Sequence, residues 1–456
     1  MSTISQPGSP DLSNIQGMVI RGFTHPYSCH MIFKFPDKPG AKNFIKAINP
    51  YVQSGESWGE HKPEMMINIG FTFTGISIAS DLKKEDLGHF PIAFKQGPAS
   101  PGSQQSLNDY GTSLSSNWVF GSKKTQVDTI VHCYALNDVG LNTLVTMIKK
   151  AADDNGLVEN FPIGNGSKRL EEYVTDPAHS IHFGYLDGID QPDLDTSIPI
   201  KDTSSLGNFL IGYAPNSDPG PSGNTAAGSF AKDGCYNAFR MLAQDEKVFD
   251  DFLNDNAQSI SVQLKKDPAY AKEWLAAKLN GRWRNGSPLE LSPEAPDPNT
   301  SHATDFDYST DQEGLKCPFA AHNRVSNPRS DQLVDKGSIP RLLRRGMAYG
   351  APPILNNYDG ERGLIGLFLC GSLTSQFELI YSWISTTNFS VLTPPDQLQA
   401  QDALIANRAI PYANTSFTIP IPEGKVVINK LPQFVMTKGT SYCLLPSLST
   451  LKEMAG

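Results

Sequence analysis

The first third of the chain alternates between two hydrophobic patterns. Apolar and polar side chains alternate with the two-residue period of a half-buried strand at residues 18–35, and strands are also predicted at 64–76 and 128–135. Apolar residues on one helical face predict a helix at 138–155, and a turn at Lys38-Pro39-Gly40 precedes a second predicted helix at 41–52. Strands and helices in this order indicate an α+β domain.

The remainder predicts a second α+β unit with longer irregular connections. Strands are predicted at 179–186, 234–242 and 365–370, and helices at 245–253, 268–279 and 373–384. Two segments rich in turn-forming residues, 216–228 and 287–311, are predicted to be loops. No internal sequence repeat is strong enough to prove that the halves are duplicates. The predicted organisation is a loose tail at 1–15, a first domain at 16–170 and a second at 171–456.

The chain has 456 residues, which suggests two or three domains and suffices to bury a large core with an organic cofactor. Its formal net charge is −9, and no basic run is longer than Lys123-Lys124 or Arg344-Arg345. Because binding to nucleic acid requires a basic face that neutralises phosphates, nucleic acid is not an expected partner.

The cysteines, the start of the chain and the longest apolar run together predict a cellular compartment. The six cysteines form no Cys-x-x-Cys pair, which argues against a zinc or iron–sulfur site and against a disulfide framework. The start of the chain, residues 1–14, has neither the basic segment nor the apolar core of a secretory signal. The most apolar later run, residues 363–373, is far shorter than the roughly 20 residues of a membrane span. A cytoplasmic protein without membrane association is therefore expected, although a secreted mature form would show the same features.

One stretch, residues 315–329, combines apolar residues, a histidine and arginines in a pattern suited to a cofactor. The apolar run Pro318-Phe319-Ala320-Ala321 leads directly to His322, and Arg324 and Arg329 follow within seven residues. A neutral imidazole in an apolar wall is a good axial ligand for haem iron, and guanidinium groups can hydrogen-bond haem propionates. A histidine beside apolar residues can equally be a satisfied core residue, so this stretch alone leaves both alternatives open.

Two further stretches carry charged residues next to glycines. In Gly184-Tyr185-Leu186-Asp187-Gly188, the glycines let the backbone turn sharply at Asp187. An aspartate of ordinary pKa accepts a proton in acidic to neutral medium. In residues 340–350, the arginines Arg341, Arg344 and Arg345 precede Tyr349-Gly350, and an arginine can donate two parallel hydrogen bonds to an oxyanion. The alternatives are a plain turn at Asp187 and a solvated basic face for the arginines.

Taken in order, Asp187, His322 and the segment Arg344-Arg345-Gly346-Met347-Ala348-Tyr349-Gly350 resemble the dye-decolourising peroxidases, a family of haem enzymes. The resemblance spans nearly the whole chain. Residues 11–23 resemble the opening strand of the family, and residues 67–75 resemble a core strand of its first domain. Similarity continues at 209–213, 233–245, 281–289, 306–329 and 367–378. The implied fold is α+β, with two ferredoxin-like domains that each pack helices on an antiparallel sheet, and with haem in the C-terminal domain.

The resemblance implies a haem b peroxidase with one haem per chain. Such an enzyme uses hydrogen peroxide to oxidise phenols and bulky aromatic dyes through a ferryl intermediate. Because bulky dyes would not fit a narrow haem channel, it also implies electron transfer through tyrosine or tryptophan, and Tyr349, Tyr381 and Trp383 lie near the site motifs. The sequence does not fix the oligomeric state, and a homo-oligomer stays open.

The resemblance also implies roles for the candidate residues. Asp187 carries the proton, and Arg344 stabilises charge, since counting back from Tyr349-Gly350 selects it over Arg341 and Arg345. Some relatives carry a side chain two residues after this arginine, where this chain has Gly346. His322 is the proximal iron ligand, with Arg324 and Arg329 beside the cofactor.

The surroundings of the haem follow from the same resemblance. The second ring nitrogen of His322 requires an acceptor, for which Asp402 is the choice and Asp396 and Glu378 are alternatives. Leu367 and Phe368, together with Leu369, are predicted to form the apolar wall on the peroxide side. The run that leads into them is longer than is usual in the family, so which of these side chains face the haem stays open.

Two alternatives belong to other functional classes. A haem carrier or sensor of the same fold would show a haem spectrum without oxidising anything. An enzyme without haem, in which His322 is a core residue and Asp187 a turn, would be colourless. An absorbance spectrum with and without peroxide distinguishes the three hypotheses.

Overall fold

The computed structural model describes residues 10–159, 170–173, 180–192, 194, 206–213, 221, 224–329, 339–350, 358–386 and 401–456. The strands are β1 Tyr27–Lys34, β2 Met65–Phe71, β3 Thr129–Ala135, β4 Val158–Glu159, β5 Leu170–Tyr173, β6 Cys235–Gln244, β7 Leu343–Arg344, β8 Met347–Tyr349, β9 Gly363–Cys370, β10 Ser416–Ile421, β11 Gly424–Asn429 and β12 Val435–Leu445. The helices are α1 Gly17–Ile20, α2 Lys38–Ile48, α3 Phe73–Ala79, α4 Lys84–Leu87, α5 Ile92–Gln96, α6 Pro101–Leu107, α7 Asp138–Asp154, α8 Ala226–Ala231, α9 Glu246–Leu264, α10 Pro268–Asn280, α11 His322–Ser326, α12 Leu379–Thr386 and α13 Leu448–Ala455. A π-helical turn, Leu373–Glu378, leads directly into α12.

The first half of the chain forms an antiparallel sheet in the strand order β4-β1-β3-β2. Helix α2 follows β1, and helix α7 follows β3. Both helices begin at a side-chain cap, because Asp37 accepts a hydrogen bond from the N–H of Gly40 and Asn137 accepts one from that of Gly140. Their apolar faces pack on one side of the sheet. This arrangement is a ferredoxin-like domain.

The second half repeats the arrangement. Strands β12, β6, β9 and β8 are neighbours in that order and antiparallel. Helix α9 follows β6, and the π-helical turn with α12 follows β9. The hairpin of β10 and β11 is inserted between α12 and β12. The predicted α+β fold with two ferredoxin-like domains is confirmed, including a likeness between the halves that the sequence alone does not reveal.

The two sheets join at both edges. Strand β2 pairs with β12, and β1 pairs with β5, which in turn pairs with β8. The strands therefore close into a ring. Its inside is filled by a cluster of buried residues from both halves, which includes Ile32, Ile130, Phe239 and Leu367. No helix in the described part of the chain is long and apolar enough to cross a membrane.

Several local predictions need correction. Residues 17–20 form a short helix where the resemblance suggested an opening strand, and β2 ends at Phe71 because Thr72 caps α3. Residues 179–186 were predicted as a strand, yet in the described part of this segment only a single bridge joins Ser180 to Leu186. The first predicted loop segment, 216–228, already contains the start of α8.

The predicted loose tail is anchored over its described part. Ile15 is fully buried. Asn14 donates a side-chain hydrogen bond to Asp233 at 3.0 Å and accepts one from the N–H of Ser449 at 2.9 Å. These contacts hold residues 10–15 against the second half of the chain, and residues 1–9 lie outside the described part.

Candidate active site

A cavity of about 260 Å³ lies on the outer face of the second sheet, under α12. Its apolar lining includes strand and helix residues such as Leu242, Leu364 and Ile380, and its polar lining comes from loops as well as from the ends of strands and helices. Of the residues predicted for the site, the cavity lining includes Asp187, His322, Arg344 and Phe368. The structure thus brings together side chains that are far apart in sequence.

His322 begins α11 and is oriented by a carboxylate. Its Nδ1 lies 2.6 Å from Oδ2 of Asp402, whose side chain is fully buried. The other oxygen, Oδ1, accepts hydrogen bonds from the N–H groups of Leu404 at 2.8 Å and Ile405 at 2.9 Å. Among the described residues, none hydrogen-bonds Nε2 of His322, and this side chain is 29% exposed at the cavity. The imidazole therefore presents one nitrogen to the cavity while the other is fixed.

The alternative partners of His322 are placed differently. Glu378 is buried and accepts a hydrogen bond from the hydroxyl of Tyr442 at 2.8 Å. Asp396 lies outside the described residues. Of the three carboxylates, Asp402 is the one that the described structure brings to the histidine.

Asp187 lies in an exposed turn at the cavity. Gly184 and Gly188 have φ angles of +83° and +76°, which are left-handed values that favour glycine. The turn is held to the segment that contains Arg284, because the N–H of Leu186 donates to the carbonyl of Arg284 at 2.9 Å. The glycine pattern thus produces the sharp turn that the sequence predicted.

Arg344 lies on β7, and its guanidinium is held by the main chain that follows Asp187. Nη2 donates to the carbonyl oxygens of Ile189 at 2.7 Å and Asp190 at 3.0 Å. The backbone N–H of Arg344 donates to Oε1 of Gln191 at 2.9 Å. These bonds bring Arg344 to the Asp187 loop across more than 150 residues of chain.

The other two arginines of this segment differ. Arg341 also lines the cavity and is exposed, whereas Arg345 does not line it. Nε of Arg345 donates to the carbonyl of Met18 at 3.0 Å, and burial lowers the pKa of Arg345 to about 10. The cavity is therefore approached by Arg344 and Arg341 but not by Arg345.

Two residues predicted beside the cofactor lie elsewhere. Arg324 is fully buried and donates to Oδ2 of Asp311 at 3.0 Å and to the carbonyl of Cys317 at 2.6 Å, so it supports the loop that leads to His322. Leu367 points into the ring because side chains alternate along β9, and Leu364 and Phe368 therefore face the cavity. Neither Arg324 nor Leu367 lines the cavity.

Arg329 lies behind the cavity wall. Its Nη2 is 2.6 Å from Oδ2 of Asp190, and its guanidinium stacks 3.9 Å from the ring centre of Phe306. Sequence reasoning gave no role to Asp190, although this residue stands three positions after Asp187. Nor did it give a role to Arg282, which lines the cavity and has its pKa lowered by burial.

The comparisons with known proteins point to one group of enzymes. No family model matches the chain. Peroxidase 2 of Mycetinis scorodonius is 28% identical over 99% of this chain and 89% of that protein. The dye-decolorizing peroxidase msp1 of the same organism is 27% identical over the same shares. The multifunctional dye peroxidase DyP2 of an Amycolatopsis strain is 30% identical over 60% of each chain.

Solved structures give the same answer for the fold. An ancestral D-type dye decolorizing peroxidase matches with a TM-score of 0.81 and 24% identity, over 98% of this chain and 100% of that chain. A dye-decolorizing peroxidase in complex with 2,6-dimethoxyphenol matches with a TM-score of 0.77 and 24% identity, over 98% and 99%. At these identities the structural likeness establishes the fold.

Proposed function

Because the chain belongs to the dye-decolourising peroxidase family, we propose that it binds one haem b per chain in this cavity and uses hydrogen peroxide to oxidise phenols and bulky aromatic dyes. The observation that carries the proposal is the orientation of His322. Its Nδ1 is bonded to Asp402 while Nε2 meets a largely apolar cavity that also contains Asp187 and Arg344.

The residues present fit a haem. The cavity offers one imidazole nitrogen, an apolar lining that includes strand and helix residues, and the exposed guanidinium group of Arg341. A porphyrin requires an apolar slot, its iron requires an imidazole nitrogen, and its propionates require cationic donors. When bound, the haem supplies the iron to which peroxide binds and the two electrons that break the O–O bond.

On one side of the cavity, His322 and Asp402 act as a unit. A carboxylate that accepts from Nδ1 fixes the tautomer, directs the lone pair of Nε2 into the cavity and raises the basicity of the ring. Asp402 is itself held by two backbone N–H groups. The pair therefore holds the donor nitrogen in one place and makes it electron-rich.

On the other side, Asp187 and Arg344 divide the work of peroxide cleavage. In this proposal Asp187 takes the proton from the inner peroxide oxygen and returns it to the outer oxygen, which then leaves as water. The guanidinium of Arg344 stabilises the negative charge that develops on the outer oxygen while the bond breaks. The carbonyl bonds to Ile189 and Asp190 keep the guanidinium beside the turn that carries Asp187.

Bulky reductants are proposed to be oxidised at the surface. Of the three aromatic residues near the site motifs, Tyr349 and Tyr381 are buried, whereas Trp383 is partly exposed. Trp383 stands two residues from Tyr381, which lines the cavity. This placement favours Trp383 as the residue that meets a reductant too large to enter.

The proposal is tested by one set of spectra. We expect the purified protein to take up haem, to change its Soret band on addition of peroxide, and to oxidise 2,6-dimethoxyphenol only when peroxide is present. A haem spectrum without oxidation would instead support a carrier or sensor of the same fold. Failure to bind haem would overturn the proposal.

A further inference from the structure

Asp190 belongs to the loop that carries Asp187, yet its side chain holds the segment that carries His322. Oδ2 of Asp190 accepts hydrogen bonds from Nδ2 of Asn327 at 3.1 Å and from Nη2 of Arg329 at 2.6 Å. Asn327 and Arg329 follow directly after α11, the helix that begins at His322. A single carboxylate therefore joins the two sides of the cavity.

The main chain of Asp190 also holds Arg344. The carbonyl oxygens of Ile189 and Asp190 both accept from its guanidinium. Asp190 has a φ of +62°, a left-handed conformation that aspartate tolerates better than most residues because its side chain can hydrogen-bond nearby. Since this backbone conformation sets the direction of the carbonyl groups, the position of Arg344 depends on Asp190.

The ion pair of Asp190 and Arg329 holds the Asp190 carboxylate in a defined position. An exposed ion pair contributes little, but these two side chains are only 19% and 13% exposed. The guanidinium of Arg329 is also held by the ring of Phe306 and by the carbonyl of Thr304 at 2.7 Å. A partner fixed on three sides can anchor the Asp190 carboxylate in one place.

We propose that Asp190 is a positioning residue that couples the two sides of the cavity, so that its loss displaces Arg344 and the His322 segment together. Asp190 is not assigned contact with a reacting atom; it acts through the groups that it holds. The inference rests on the proposed function, because its effect on catalysis requires that the cavity binds haem.

The test compares Asp190→Ala and Asp190→Asn with matched variants of Asp233. Asp233 is also left-handed, with a φ of +61°, and its carboxylate accepts hydrogen bonds from Asn14 at 3.0 Å and Tyr213 at 2.6 Å. It does not line the cavity. A general loss of stability should therefore affect both positions, whereas a coupling effect should appear only at Asp190.

In the haem-loaded protein, two quantities report on the two sides. The rate constant of the reaction with peroxide reports on Arg344, and the ferric/ferrous reduction potential reports on His322. For Asp190→Ala we expect the rate constant to fall about 10-fold, because small misplacements of catalytic groups cost up to about 100-fold, and the potential to shift as well. Asp190→Asn should have a smaller effect, since its amide oxygen still accepts hydrogen bonds and it tolerates the left-handed backbone.

A third measurement does not need the cofactor. Hydrogen exchange in the full chain without haem should become faster in Asp190→Ala both at 181–192 and at 322–329, and at neither segment in the Asp233 variants. If only the first segment changes, the proposed coupling is overturned, whether or not the wild type binds haem. If the wild type takes up no haem, the proposed function fails while this exchange measurement still decides the coupling.

The remaining outcomes are equally decisive. A lower melting temperature with unchanged rate constant and potential would make Asp190 merely structural and overturn the inference. A change in only one of the two quantities would show that the sides are independent. Should Asp190→Ala fail to fold, Arg329→Gln breaks the same contact from the other side and is expected to change both quantities.

Discussion

The two sides of the cavity hold their functional groups by different means. On the side of His322, a side chain holds a side chain, because the buried carboxylate of Asp402 accepts from Nδ1 at 2.6 Å. On the side of Asp187, the main chain holds a side chain, because carbonyl groups of its loop accept from the guanidinium of Arg344. The first arrangement fixes one nitrogen, and the second keeps two charged groups together through the shape of a loop. We therefore expect changes on the first side to alter how the cofactor is held, and changes on the second to alter the rate.

The largest effect should come from removing the donor nitrogen. We expect His322→Ala to abolish or severely weaken haem binding, because the described lining of the cavity contains no other histidine that could bind the iron. Titration with haem, followed at the Soret band, measures this loss. His61→Ala changes an exposed histidine in the first half and should bind normally. Full haem occupancy with an unchanged ferric spectrum in His322→Ala would assign the ligand to another residue.

On the other side, loss of the proton carrier should leave haem binding intact and slow the reaction with peroxide. Removing a general acid–base group costs about 10²–10⁴-fold, so we expect a decrease in this range for Asp187→Asn near neutral pH. Raising the pH should restore part of the rate, because the hydroperoxide anion needs no proton removed. Stopped-flow mixing across pH measures the effect, with Asp359→Asn as a control at an exposed aspartate that also precedes a glycine. A wild-type rate would exclude Asp187 from the mechanism.

Loss of the fixed positive charge should slow the reaction with peroxide less than loss of the proton carrier does. Raising the pH should, however, restore less of the lost rate. For Arg344→Leu we expect the rate to fall about 10²–10³-fold, the usual effect of removing one preorganised charge donor. Water can replace a carboxylate as a proton carrier, whereas it cannot replace a fixed charge, so higher pH should restore little. Arg344→Lys keeps the positive charge but lacks the planar guanidinium group that donates two parallel hydrogen bonds. Its rate should therefore lie between that of the wild type and that of Arg344→Leu. Equal recovery of the Asp187 and Arg344 variants at high pH would contradict the proposed division of work.

The smallest effect should come from neutralising Asp402. We expect Asp402→Asn to retain haem and to raise the ferric/ferrous reduction potential, because a less basic imidazole stabilises ferric iron less. A redox titration measures the shift. Glu378→Gln provides the comparison, since that carboxylate bonds to Tyr442 and its variant should leave the potential unchanged. If Glu378→Gln raised the reduction potential and Asp402→Asn left it unchanged, Glu378 rather than Asp402 would be the partner of His322.

Short-range patterns predicted the parts of the site that lie in one stretch of chain. The glycines around Asp187 and the apolar run before His322 carry their own signal, and both residues line the cavity. For the partner of His322, the sequence leaves Asp396 and Glu378 as alternatives to Asp402. Nothing in the sequence indicates which carboxylate lies beside the histidine, and Asp402 is 80 residues away from it. The structure selects it by packing.

The errors also have physical causes. Strand β9 is apolar on both faces, one towards the inside of the ring and one towards the cavity, so no alternation showed that Phe368 faces the cavity and Leu367 does not. Arg324 was predicted beside the cofactor, but its partner Asp311 lies in a loop without a recognisable pattern. The role of Asp190 depends on contacts with Asn327 and Arg329, which become visible only when the chain is folded.

The closed ring of strands makes the two domains one unit. Separating them near residue 170 would break the pairing of β2 with β12 and the pairing of β1 with β5, and would leave unpaired backbone N–H and C=O groups at several strand edges. Such edges recruit other strands and promote aggregation. Neither half is therefore expected to behave well as a separately expressed fragment, although each has a complete ferredoxin-like strand order. Hinge opening between the halves would break the same strand pairs, so we expect a reductant to reach the proposed haem site without any movement of one domain away from the other.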